Sequence, residues 1–177
     1  NADADDGFAF IAVDTIPAGT VIHFSDNEWN GLAIGAGGAF NTGEGGLTWT
    51  SGPDDLPPGT TIEFARTSEV DFRTANLGTL SGGSVALGNS GESIFAFLGG
   101  SVTQPETFLA AVTNNNGGFT GATTSGLLAG TGLTAGTTAL VLPGTGGADV
   151  AVYAPTTGGS DFATREAALA AFNDTAN

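Results

Sequence analysis

NADADDG, residues 1–7, sets side-chain oxygens at Asn1, Asp3 and Asp5, with Asp6 and Gly7 directly after them. Oxygens at alternate positions are what a hard cation asks of a loop, because Ca2+ takes six to eight oxygen ligands. The spacing departs from an EF-hand loop in two places: glycine comes one position late, and Ala12 stands where a bidentate acid belongs. Two readings therefore stay open, a cation site and an Asx-turn cluster leading into a strand. A second cluster follows in FSDNEWNG, where Asp26, Asn27 and Glu28 come straight after an apolar run. A third acid, Glu44, lies between glycines in TGEGG. If the first two loops fold side by side, they supply enough oxygens for one Ca2+. The expected ligand set is Asp3, Asp5, Asp6, Asp26, Asn27 and Glu44.

Catalytic chemistry finds less to work with. His23 is the single histidine, and in TVIHF it alternates with Ile22 and Phe24, which predicts a solvent-facing position on a strand. The sequence holds no G-x-S-x-G elbow, no H-E-x-x-H and no P-loop, and one histidine cannot build the common zinc sites alone. Asp26 and Glu28 form a carboxylate pair of the kind used in glycoside hydrolysis, but so acidic a chain contains many such pairs. The expectation is a protein that is not an enzyme.

These loops need elements to hold them. Apolar alternation and β-rich runs cover Phe8–Val13, Thr20–Phe24, Leu47–Thr50, Thr61–Phe64, Ser93–Leu98, Thr107–Val112, Ala139–Leu142 and Val150–Tyr153, each bounded by Gly, Pro, Asn or Asp. One turn device precedes three strands: PAGT at 17–20, PPGT at 57–60 and AGTT at 135–138, with glycine at a position requiring positive φ. A single helix is predicted near the end, where Thr164 caps REAALAAF, Glu166 sits at its positive end, and Ala168, Leu169 and Phe172 share a face. The pattern predicts an all-β fold: one domain over residues 1–177, an antiparallel two-sheet β-sandwich or flattened barrel with one short C-terminal helix. Trp29, Trp49 and most of the 12 phenylalanines are assigned to its core. The other use of the two indoles is as platforms for sugar rings.

Composition limits the partners. Eighteen acids face three arginines and no lysine, for a formal net charge of −15. Such a surface repels phosphate backbones and anionic lipid and attracts cations, so neither nucleic acid nor a membrane surface is an expected partner. No stretch reaches the ~20 apolar residues of a membrane span. Cysteine and methionine are both absent, which removes disulfides, thiolate sites and the most oxidation-prone side chains. That absence suits a processed chain working outside the cell in an oxidising, saline medium.

Three stretches, residues 1–31, 40–64 and 164–177, together resemble an uncharacterised β-sandwich module of secreted or surface-anchored bacterial proteins. Such modules often stand beside calcium-binding repeats of the repeats-in-toxin type and are loosely similar to lamin-tail sandwiches. The resemblance implies an extracellular or cell-surface location and the sandwich fold more than any activity, and it draws attention to Asp6, Asp26, Asn27 and Glu44. Modules of this kind carry a further apolar strand before the Asn/Asp loop, whereas this sequence opens at Asn1. A sheet edge open to a neighbour's strand is the corresponding expectation. The reading of the whole is a non-catalytic structural module of a surface layer, filament or adhesin, calcium-stabilised and polymerising by strand complementation. Its expected partners are copies of itself or other surface proteins. The alternative is a Ca-dependent module whose partners are glycans.

Overall fold

The computed structural model describes residues 6–88 and 91–142, and every statement below concerns them. Eleven strands follow in chain order: β1 (Gly7–Ile11), β2 (Val21–Ser25), β3 (Gly46–Thr50), β4 (Thr61–Ala65), β5 (Thr74–Ala75), β6 (Thr79–Gly82), β7 (Ser93–Ser101), β8 (Gln104–Thr113), β9 (Thr120–Gly121), β10 (Gly126–Leu127) and β11 (Ala139–Val141). Among the described residues there is no helix. The strand predicted over Val150–Tyr153 and the helix predicted after Thr164 lie outside them.

The strands form a six-stranded sheet, β11-β8-β7-β2-β3-β6, a three-stranded sheet, β1-β4-β5, and the small β9–β10 hairpin. Alternation decides what each face meets. Phe8 and Phe10 of β1 and Ile62 and Phe64 of β4 point at Ile22, Phe24, Leu47, Trp49 and Ile94 of the large sheet, closing the first core. The Phe8 and Phe10 rings lie 5.2 and 5.7 Å from that of Phe24, so β1 lies over β2. This is the two-sheet sandwich that the sequence predicts.

The opposite face of the large sheet is also covered. Phe95 and Phe97 of β7, Phe108 and Ala111 of β8 and Ala139 of β11 pack with Trp29, Phe40, Phe119, Leu128 and Leu133, which come from the long loops. A strand covered on both sides reads as a continuous apolar run, and SIFAF in β7 is one. This second core corrects the placement of His23. Its ring is buried rather than solvent-facing: Nδ1 pairs with Thr48 Oγ1 at 2.9 Å, Nε2 with the Gly99 carbonyl at 3.1 Å, and Phe97 stacks 5.6 Å away.

The pairing is antiparallel throughout except at one edge, where β11 runs parallel to β8. Parallel neighbours need a long crossover. Residues 114–138 provide it and cover the second face on the way. The three turns behave as their residues dictate. Gly19, Gly59 and Gly136 have φ of 71°, 88° and 76°, and the amides of Thr20, Thr60 and Thr137 donate to the carbonyls of Pro17, Pro57 and Thr134. The hydroxyls of Thr20 and Thr60 add a second bond to the same proline carbonyls, at 2.7 Å each.

Candidate functional site: a carboxylate cluster at the strand ends

Three acids stand at strand boundaries. Asp26 follows β2, Glu44 comes two residues before β3, and Glu92 immediately precedes β7. Because β7, β2 and β3 are consecutive antiparallel neighbours, the end of β2 meets the starts of the other two, with Ser25 opposite both Gly46 and Phe95. Sheet order thus gathers acids that are far apart in sequence.

Asp26 is the anchor. It is 3% exposed, and each carboxylate oxygen accepts a backbone N–H: Oδ1 from Gly45 at 2.7 Å and Oδ2 from Ala86 at 2.9 Å. One side chain therefore ties the end of β2 to two other loops. Asn27 closes the same junction, donating from Nδ2 to the Gly45 carbonyl at 2.7 Å and accepting the Glu44 amide on Oδ1 at 3.2 Å. Glu28 is buried and accepts from Asn41 Nδ2, while its own amide donates to Asn41 Oδ1 at 3.0 Å. Two glycines make room. A Cβ on Gly45 would stand 2.0 Å from the Ser84 carbonyl oxygen, and one on Gly88 would stand 2.5 Å from Glu92 Oε1.

The electrostatics are those of like charges pressed together. Desolvation raises the Asp26 carboxyl above its ordinary range, opposed by the hydrogen bonds from Ala86 and Gly45, with Glu28 raising it further. Glu92 is raised by burial and then by the charges of Asp26 and Glu28, against a bond from the Gly88 amide. Glu44 stands at the rim. The residue is solvent-exposed, yet its carboxyl lies against the desolvated group, and that partial burial with Glu28, Glu92 and Asp26 pushes it up to about 7. The described basic side chains are engaged elsewhere: His23 in the second core, Arg73 on the Gly82 and Gly83 carbonyls, and Arg66 beside Glu69 and over the Phe72 ring.

Of the six residues expected to bind a cation, the fold brings Asp26, Asn27 and Glu44 together. Asp6 is buried at the same end, and its carbonyl accepts the Thr67 amide, whose carbonyl accepts the Val85 amide next to Ala86. Asp3 and Asp5 lie outside the described residues. Glu92 was not among the six, since only the pairing of β2 with β7 reveals it. Glu28 was visible beside Asp26 but assigned to a different chemistry. Among the described residues, no three acidic or histidine side chains converge at the spacing of a bound metal. Both indoles are fully buried, Trp29 in the second core and Trp49 in the first, where its Nε1 donates to the Leu77 carbonyl at 2.8 Å. Neither offers a platform to a sugar.

The chain matches no family model, no curated protein and no solved structure. Among the described residues no helix is long and apolar enough to cross a membrane.

Proposed function

We propose that this chain is a non-catalytic structural module of a bacterial surface layer, filament or adhesin, working outside the cell, with Ca2+ holding its acidic strand ends. The observation that carries the reading is the cluster of Asp26, Glu28, Glu44 and Glu92 at one end of the sandwich, three of them with raised carboxyl pKa. A protein that keeps like charges at a structural junction gains most from a cation there, because binding relieves repulsion and desolvation together. The absence of Cys, the low content of basic residues and the resemblance to surface modules support the extracellular setting. Copies would assemble through sheet edges, where unpaired backbone groups accept a further strand.

The test is a thermal melt with and without Ca2+. A ligand that binds only the folded state raises the midpoint by mass action. The expected result is a midpoint several degrees higher in millimolar Ca2+ than in chelator, with a smaller effect from Mg2+. Equal midpoints refute the calcium part of the reading.

A further inference from the structure

The loop after β8 carries three asparagines in a row, and the fold treats them unequally. Asn114 is tied at both ends of its side-chain amide: Nδ2 donates to the Gly88 carbonyl at 3.2 Å and Oδ1 accepts the Glu92 amide at 2.8 Å. Asn115 Nδ2 donates to the Gly118 carbonyl at 2.7 Å and to Ser125 Oγ at 3.0 Å. Asn116 is exposed, and among the described residues its side chain bonds to nothing. Gly117 follows it, also exposed, and the Gly117 amide reaches only Asn115 Oδ1, at a long 3.4 Å. An unheld side-chain amide thus stands next to a backbone nitrogen that no Cβ shields.

We infer that Asn116 is a site of spontaneous covalent modification, deamidation through a cyclic imide formed with Gly117. Solvent base takes the Gly117 amide proton, and the nitrogen attacks Asn116 Cγ. The N–Cγ bond forms, the Cγ–Nδ2 bond breaks, and the leaving nitrogen takes up a proton and departs as ammonia. Water then opens the imide: cleavage at Cγ leaves aspartate, and cleavage at the main-chain carbonyl leaves isoaspartate. One water enters, one ammonia leaves, and the chain of net charge −15 gains one more negative charge. The turn that must flex for this is closed by the Gly118 amide on the Asn115 carbonyl, at 2.8 Å, so a local opening suffices.

The molecule contains its own comparison. Asn30-Gly31 is the other Asn-Gly pair in the sequence, and there the fold holds the side chain. Asn30 Nδ2 donates to the Gly37 carbonyl at 2.9 Å, and Oδ1 accepts the Leu32 and Ala39 amides at 3.0 and 3.3 Å. With both ends of the amide tied, Cγ cannot swing onto the Gly31 nitrogen until those bonds open. Two pairs of the same sequence are therefore expected to age differently. The inference is independent of the calcium reading and of any partner.

Peptide mapping of the full chain tests it. Trypsin cuts after Arg66, Arg73 and Arg165, which puts Asn30 and Asn116 on separate fragments. The folded protein is held at mildly alkaline pH, sampled over time, digested and read by fragmentation mass spectrometry. The expected result is a gain of one dalton at Asn116, as aspartate and isoaspartate together, faster as the pH is raised. Asn30 should react at least about tenfold more slowly, and in guanidinium the two sites should react at similar rates. In Gly117→Ala the added Cβ meets nothing nearer than 3.4 Å, so the fold is kept, and the rate at Asn116 should fall at least about tenfold. An unmodified Asn116 in the folded chain overturns the inference, as does folded Asn30 reacting as fast or an unchanged rate in Gly117→Ala. Aspartate without isoaspartate overturns the imide route. Asn30 left intact in guanidinium overturns the protection assigned to the fold.

Discussion

Replacing Glu44 by Gln isolates the rim of the acidic cluster, since it removes one charge and leaves the backbone bond from residue 44 to Asn27 Oδ1 in place. Glutamate ordinarily titrates near 4.5, and here the carboxyl is pushed up to about 7. In that window the folded chain holds a proton that the unfolded chain has released. Stability from this group is complete below pH 4.5 and is lost as pH rises through 7. Taken at face value the difference corresponds to roughly 3 kcal/mol. Because Glu44 is exposed, solvent screening reduces it to about 1 kcal/mol. For a domain of this size that is about 2–4 °C in Tm. Melting both proteins in chelator from pH 4.5 to 8 should give equal midpoints at the acid end and a variant 2–4 °C higher at pH 8. Millimolar Ca2+ should erase or reverse the gap, because the wild type regains a ligand that the variant lacks. Midpoints that run in parallel across the whole range refute the electrostatic argument.

Asp26→Ala strands the buried-side amides of Gly45 and Ala86, and at about 1–3 kcal/mol for each unsatisfied donor it should cost at least about 2 kcal/mol in urea unfolding. Trp49→Ala empties a fully buried site in the first core and should cost about 3–5 kcal/mol by the same measurement. Gly78→Ala should destabilise as well: its φ is 73°, and a Cβ would stand 2.4 Å from the Thr50 carbonyl oxygen and 2.5 Å from Trp49 Nε1. With a net charge of −15, the midpoint in chelator should also rise as NaCl is increased from 10 to ~500 mM, because screening weakens self-repulsion.

What could be read in the sequence was whatever local chemistry decides. Period-two alternation located every long strand, and the Pro/Ala-Gly-Thr turns took the positive φ that glycine allows. Two-sided burial is different, because it depends on what later loops cover. His23 alternates like a surface residue, but residues 27–41 and 118–133 return over that face and enclose it. The parallel approach of β11 likewise reflects the crossover and not its own residues. The short strands β5, β6, β9 and β10 have too few residues for any period to show. In the site, the DNE triplet announced itself as a polar loop, whereas Glu92 joins it only through the register of β2 against β7.

The central claim is that the acids at the ends of β2, β3 and β7 hold a divalent cation. A crystal structure of the full chain grown in millimolar Ca2+ tests it most directly. The account predicts one ion with oxygens drawn from Asp26, Glu28, Glu44 and Glu92 at 2.3–2.6 Å. An ordered cluster with no ion there, its carboxyl groups bonded only to protein and water, would contradict it.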